Sequence, residues 1–397
     1  MNLTLLLDLD DTLLTNDMDI FLPAYLKALA GRLASHVAPE RMIKALLNAT
    51  GQMVRNVSPT RTLEETFDAA FYPALGLEKE AMHPVIEDFY AQEYPHLRAL
   101  TRPHSQAAAL VEKALQMGCR VAVATNPLFP RTAIEQRIAW AGLAHYPFAL
   151  IPSYETFHFA KPNPAFVSEF LAQMGWPEGP VLMVGNDLEN DYRSAHGAGI
   201  AMYWIQPDEV VSTPHLPEHR GSLADLLTWL DGIIPERIQP RLSTPGARMA
   251  SLRATPAALG SLTRALPGSA WERRPHPKGW SLIEIACHLR DAESEVNLPR
   301  LQKIVQNDAP FLAGIDTDAW IVERQYAQQD GPAALQAFIE ARLETISLLE
   351  SLPAEAWQRP ARHAILGPTT LLELVGVLDR HDHLHIRDVK TIVAPLP

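Results

Sequence analysis

Leu3-Thr4-Leu5-Leu6-Leu7-Asp8-Leu9-Asp10-Asp11-Thr12-Leu13-Leu14 sets a leucine-rich run directly against a group of acids. The apolar run Leu3 to Leu7 has the length and context of a buried parallel strand. It ends abruptly in three carboxylates, Asp8, Asp10 and Asp11. Active sites of open α/β sheets lie just past the carboxyl ends of strands. Carboxylates gathered there repel one another, and a divalent cation relieves the repulsion. At such a place Asp8 could attack phosphorus as a nucleophile, and Asp10 could move the proton. A strand followed by an acidic turn without chemistry is the plain alternative.

Working outward, further apolar runs end in polar groups. Arg120 to Ala124 reads as a second strand and runs into Thr125-Asn126-Pro127. A hydroxyl and an amide can donate to a phosphate without adding charge, although Thr-Asn-Pro is also ordinary turn chemistry. Phe148 to Ile151 reads as a third strand. Lys161 follows, in Ala160-Lys161-Pro162-Asn163-Pro164, where prolines stop a helix from starting at the lysine. A fixed ammonium there suits a phosphoryl group and a catalytic aspartate; a surface lysine before a helix is the dull reading. Val181 to Val184 is a fourth strand emptying into Gly185-Asn186-Asp187-Leu188-Glu189-Asn190-Asp191. Asp187 and Asp191 would converge if a helical turn follows, and such an oxygen-rich site suits Mg²⁺. Ala201 to Ile205 and Ser222 to Leu230 read as a fifth strand and a closing helix. Between the first two strands, Phe21 to Leu33, Glu40 to Val54, Glu64 to Ala74 and Glu80 to Ala91 carry helical spacing, an all-helical insertion.

Order and placement of these signals carry the specificity. Residues 1–232 resemble the haloacid dehalogenase-like (HAD) hydrolase superfamily through Asp8 to Thr12, Thr125, Lys161 and the Gly185 to Asp191 segment. The resemblance implies an α/β Rossmann-like core with a helical cap at about residues 15–100. It implies Asp8 as the nucleophile of an aspartyl-phosphate and Asp10 as acid, then base. Thr125, Asn126 and Lys161 would hold the phosphoryl group. Mg²⁺ would sit on Asp8, the Asp10 carbonyl and Asp187, with Asp191 supporting or ligating through water. Two departures stand out. Asp11 occupies a place where many members carry glycine, and Asn186 directly follows Gly185, where many place the metal aspartate. Asp10 matters within the superfamily, because an alkoxide leaving group needs a proton and a halide does not. Phosphate-ester hydrolysis is therefore favoured over dehalogenation.

Ile233 to Gly246 holds three prolines and ends in glycine, which marks an extended linker at 233–246. Beyond it, residues 247–397 read as a four-helix bundle: Met249 to Leu266, Leu282 to Asn307, Ala333 to Leu352 and Leu371 to Ile392. Ser281 with Glu284, and Thr370 with Glu373, form capping boxes. His381 and His385 share a helix face with Leu374 and Leu378, and His288 lies two turns into the second helix. Three neutral imidazoles meeting between helices would make a facial metal site for Zn²⁺, Ni²⁺ or Fe²⁺. His383 lies on another face, and Asp379 and Asp382 either orient ligands or are solvated. Trp280 to His288, with the late His381 and His385 pair, resembles the DinB/YfiT-like bundle family. That resemblance implies a divalent metal on His288, His381 and His385. Cys287 reads as a packing residue.

A net charge of −12 argues against a general nucleic-acid binder. Two cysteines give no disulfide framework, and no secretion signal or membrane span is evident, so a cytoplasmic protein is expected. The expected activity is a Mg²⁺-dependent phosphatase of a small phosphorylated metabolite. A metal-dependent thiol transferase working through the bundle, or a bundle that senses a ligand and regulates the phosphatase, remain alternatives. A homodimer is left open.

Overall fold

The computed structural model describes residues 2–206 and 216–394. It divides into two compact units: residues 1–167 with 178–240, and residues 168–177 with 241–397.

The first unit is built on a parallel sheet. Its strands are ordered Arg120–Val123, Thr4–Leu7, Val181–Gly185, Ala201–Ile205 and His219–Gly221. Every residue of Thr4–Leu7 is buried, as expected of a central strand covered on both faces. Leu7 pairs with Val123 on one side and Val184 on the other, so three strand ends lie level. The ladder closes just past that line: Asp8 N donates to Val184 O at 2.9 Å, and Ala124 N to Leu7 O at 2.6 Å. This alignment brings Asp8, Thr125 and Gly185 to one edge.

Phe148 to Ile151 forms no regular strand. Its backbone meets the sheet through Ala149 N to Val121 O (2.8 Å) and Val123 N to Leu150 O (3.1 Å). Pro147 and Pro152 bracket the segment, and neither can donate to a ladder. The edge strand His219–Gly221 carried no apolar run to reveal it.

The insertion consists of helices Met18–Leu33, Pro39–Val54, Leu63–Leu75 and Lys79–Gln92. An antiparallel ribbon, Leu14–Asn16 with Thr101–Pro103, forms its root. Aromatic rings fill the space beneath: Tyr25 meets Phe89, Tyr94 and Phe129 edge-on, and its hydroxyl lies 3.0 Å from that of Tyr90.

In the second unit four helices pack as a bundle: Pro245–Thr263, Leu282–Asp291, Gly331–Glu350 and Leu371–Val393. Both capping boxes form. The stretch expected as one helix to Asn307 loosens into a wide turn at Ala292–Asn297 and then continues as Leu298–Gln306. Pro299 has no amide hydrogen for the regular ladder. Short strands Phe311–Leu312, Pro360–His363 and Gly367–Thr370 form a small sheet that helical periodicity could not reveal. The proline-rich stretch is less extended than its composition suggests. Ile238 is fully buried in a short helical turn, and Thr244 already caps the first bundle helix. Among the described residues, no helix is long and apolar enough to cross a membrane.

Candidate active site and metal centre

Asp8 leaves the central strand buried, with Oδ1 2.8 Å from the Lys161 ammonium and Oδ2 accepting from the Thr12 hydroxyl at 3.2 Å. Lys161 is itself 1% exposed and reaches Asp191 Oδ1 at 2.5 Å. One ammonium thus stands between two buried carboxylates. Burial is the main force on Asp8, pushing its carboxyl up to about 7; Asp191 adds to this and Lys161 opposes it. Burial works against the Lys161 charge, but Asp191 and Asp8 outweigh it and raise its pKa. Gly185 makes this arrangement possible, since a Cβ there would lie 2.2 Å from Asp191 Oδ2.

The remaining residues of the sequence-derived site fall into two groups. Thr125 is buried directly after the strand end Ala124. Asn126 is occupied with the lysine loop: its Oδ1 accepts from Lys161 N at 3.1 Å. Asp10 faces another direction. Its Oδ2 takes a 2.6 Å contact from Arg137, and its Oδ1 accepts from Asn16 Nδ2 at 2.9 Å.

Asp187 is engaged with the turn that follows it. Its Oδ1 caps the following helical turn through the amides of Glu189 (2.8 Å) and Asn190 (3.0 Å), and its Oδ2 accepts from Asn190 Nδ2 at 2.6 Å. Both oxygens are spent on the turn, as is usual for an N-cap aspartate. Asn186 takes the place beside the nucleophile, with Oδ1 accepting from the same Thr12 hydroxyl at 3.2 Å. The Gly185-Asn186 adjacency was the signal for it. Arg137 gave none: it is 1% exposed in the last turn of the helix Arg131–Trp140, with its guanidinium 4.7 Å from the Phe129 ring centroid.

Asp11 has φ +55°, in the left-handed region where glycine is most at ease. Aspartate tolerates that region better than most residues when its side chain bonds locally, and Asp11 Oδ1 accepts from Asn16 N at 2.8 Å.

In the bundle, His288, His381 and His385 converge. The His381 Nε2 atom lies 2.8 Å from His288 Nε2 and 3.2 Å from His385 Nε2. Among the described residues, this is the group of three whose ligand atoms come together for a metal ion. Trp280 stacks on His385 with ring centroids 5.3 Å apart. Burial lowers the pKa of all three, with His288 reaching about 4, so the rings are neutral near pH 7. Three neutral imidazoles presenting Nε2 to one point cannot all satisfy one another by hydrogen bonding, whereas a soft or borderline cation satisfies all three. Transition-metal chemistry therefore fits this donor set.

The neighbouring acids are not solvated. Asp379 is buried against Arg248, Ser251 and His383, and Asp382 against Arg342. His383 is itself buried, bonded to Ser251 Oγ at 3.0 Å and stacked on Trp176. Cys287 is fully buried, and burial pushes its thiol up to about 11.

The haloacid dehalogenase-like hydrolase family model matches residues 5–205, and the DinB superfamily model matches residues 251–389. No curated protein matches the chain. Similar solved structures include a HAD phosphatase from Thermococcus onnurineus, 18% identical over 58% of this chain and 98% of that one, with a TM-score of 0.40. YfnB from Bacillus subtilis, a HAD-hydrolase described bound to magnesium, is 20% identical over 57% of this chain and 98% of its own, with a TM-score of 0.36. YfiT from Bacillus subtilis, described as a probable metal-dependent hydrolase with an unusual four-helix bundle topology, is 21% identical over 39% of this chain and 90% of its own, with a TM-score of 0.35. With the family match spanning half of its residues and the strand-end aspartate in its sheet, the chain belongs to the haloacid dehalogenase-like hydrolases and carries a DinB-superfamily helical domain after the hydrolase fold.

Proposed function

We propose that the first unit is a Mg²⁺-dependent phosphatase of a small phosphorylated metabolite, and that the bundle holds a divalent transition metal. The observation that carries the phosphatase reading is Asp8 at the strand end, 2.8 Å from a buried lysine that also neutralises Asp191. Asp8 attacks phosphorus and the ester oxygen leaves, giving an aspartyl-phosphate and an alkoxide that takes a proton. Lys161 offsets the charge that builds on the phosphoryl oxygens. Asp10 supplies the proton and later takes one from water. Both Asp10 oxygens accept hydrogen bonds at rest, so before donating to the alkoxide one oxygen must give up Arg137 or Asn16 and take a proton from solvent. After that donation the carboxylate accepts the proton of the water that attacks phosphorus, freeing Asp8 and inorganic phosphate.

Magnesium, when bound, would neutralise the phosphoryl oxygens. The oxygens that fit it are those of Asp8 and Asn186, which already meet at the Thr12 hydroxyl. Asp191 acts through Lys161, and Asp187 through the turn that it caps. Because Asn186 supplies a neutral oxygen, Asn186→Asp should lower the Mg²⁺ concentration for half-maximal activity several-fold. Asp187→Ala should leave that concentration unchanged and cost about 1 kcal/mol of stability through the lost cap. A Mg²⁺ titration of both variants decides between the two positions.

Wild-type protein assayed with an aryl phosphate and a panel of phosphorylated metabolites should release phosphate only with Mg²⁺ present. Absence of Mg²⁺-dependent hydrolysis across the panel would end the phosphatase reading. For the bundle, elemental analysis should find close to one transition-metal ion per chain in the wild type and none in His381→Ala/His385→Ala. Equal metal in both would remove that site.

A further inference from the structure

His381 also borders a cavity of about 300 Å³ in the bundle, at the small end of the range for small-molecule pockets. Its walls are largely apolar, with Val296, Leu301, Leu374, Val377 and Leu378 among them. Among its few polar residues, Arg300 lies with His363 in the lining and carries the one permanent charge. Its guanidinium donates to the Ala313 carbonyl at 2.5 Å. Among the described residues, no carboxylate pairs with it. This contrasts with Arg248, Arg290, Arg324 and Arg342 of the same unit, each of which has an acidic partner. Burial alone acts on Arg300 and pulls its pKa down. A half-buried cation without a counter-ion is an unfavourable arrangement that an anion would relieve.

His363 adds a second donor. Its Nδ1 accepts from the amides of Ile365 (3.2 Å) and Leu366 (3.3 Å), which fixes the tautomer with the proton on Nε2. Burial and the nearby Arg300 lower its pKa, so it stays a neutral donor.

We propose that the bundle binds an amphipathic monocarboxylate in this cavity, its carboxylate on Arg300 and its hydrocarbon part against Leu301, Leu374 and Leu378, beside the histidine cluster. A single guanidinium in apolar surroundings matches one negative charge; a phosphate dianion would be left half neutralised. The site makes the bundle a ligand-binding domain in its own right, and it stands whether or not Asp8 is a nucleophile.

The experiment is calorimetric titration of the full-length protein with hexanoate and with hexanamide, which share shape but not charge. Both zinc-loaded and chelator-treated protein are used. Hexanoate should bind about 10- to 100-fold more tightly than the amide, the range for a charge-assisted pair against a neutral one. Arg300→Gln should erase that preference, with zinc content unchanged. Val377→Phe, which fills the cavity and leaves Arg300 in place, should abolish binding of hexanoate. Equal affinity for the two probes, tighter binding of inorganic phosphate than of hexanoate, or undiminished hexanoate binding in Val377→Phe would each overturn the proposal. If Arg300→Gln does not fold, the comparison of probes and Val377→Phe still decide it.

Discussion

Asp8→Asn is expected to reduce the turnover of an aryl phosphate by roughly a thousandfold or more, the scale seen when a nucleophile is removed from a preorganised site. The substitution keeps the shape of the side chain and removes the one oxygen able to form the acyl phosphate. Loss of fold would be a trivial cause, and the electrostatics argue against it. Burial raises the Asp8 carboxyl to about 7, so the folded state holds its proton more tightly than the unfolded chain. A raised acid contributes stability below its unfolded pKa of about 4, and that contribution disappears as pH rises through about 7. At pH 8 the native protein therefore carries the full penalty of a buried charge, and the amide does not. Asp8→Asn should melt no lower than the wild type at pH 8, and its relative stability should improve between pH 5 and pH 8. Lys161 retains a second partner in Asp191, which it meets at 2.5 Å in the wild type. A folded variant with undiminished activity would show that another group attacks phosphorus.

Arg342→Met should destabilise the bundle by about 3–5 kcal/mol, the usual result of breaking a buried ion pair from one side. Arg342 is fully buried and bonds both oxygens of Glu293, at 2.8 and 2.9 Å, and both oxygens of Asp382. Methionine fills much of the space but strands two buried carboxylates beside each other. The pH dependence provides a second test. Burial would raise the Glu293 carboxyl, yet Arg342 outweighs it and holds the pKa below the ordinary value of 4.5. In the wild type, that share of stability is present above 4.5 and is lost as pH falls through the folded value. Without the guanidinium the sign reverses, because buried unpaired acids favour their protonated forms. The deficit should therefore be small near pH 4 and full at pH 7.5 in urea denaturation. Removing both carboxylates along with the arginine, as Arg342→Met/Glu293→Leu/Asp382→Leu, should recover much of the loss. Since Asp382 follows His381 directly, the single variant should also hold its bundle metal less tightly. A small loss of stability independent of pH would mean that the network is not what organises the bundle.

Much of this was legible in the amino-acid order, for definite reasons. A strand covered on both faces must be almost wholly apolar, and Leu3 to Leu7 is apolar but for Thr4; the carboxylate that ends it therefore lies at the sheet edge. The cap helices and the bundle declare themselves through spacing and capping boxes, which are local. Asp187 could not be placed from spacing alone, because two aspartates flank one turn and the turn needs a cap as much as a cation needs a ligand. Asp11 at φ +55° shows why a departure from glycine was tolerable, yet only the backbone reveals it. Arg137, Arg300 and Arg342 were invisible for a different reason. Arginines on amphipathic segments ordinarily face solvent; Arg137 and Arg342 are informative because they are buried beside acids distant in the chain, and Arg300 because it is half-buried without one.

The side chain of Asn16 belongs to the ribbon from which the helical insertion hangs, yet its amide grips Asp10 Oδ1 at 2.9 Å and lies 3.6 Å from Met18 Sδ. The ribbon that roots the insertion thus holds the carboxylate proposed to pass the proton. Under the proposed phosphatase reading, a change in the ribbon at Asn16 would therefore reach the acid directly, through one hydrogen bond.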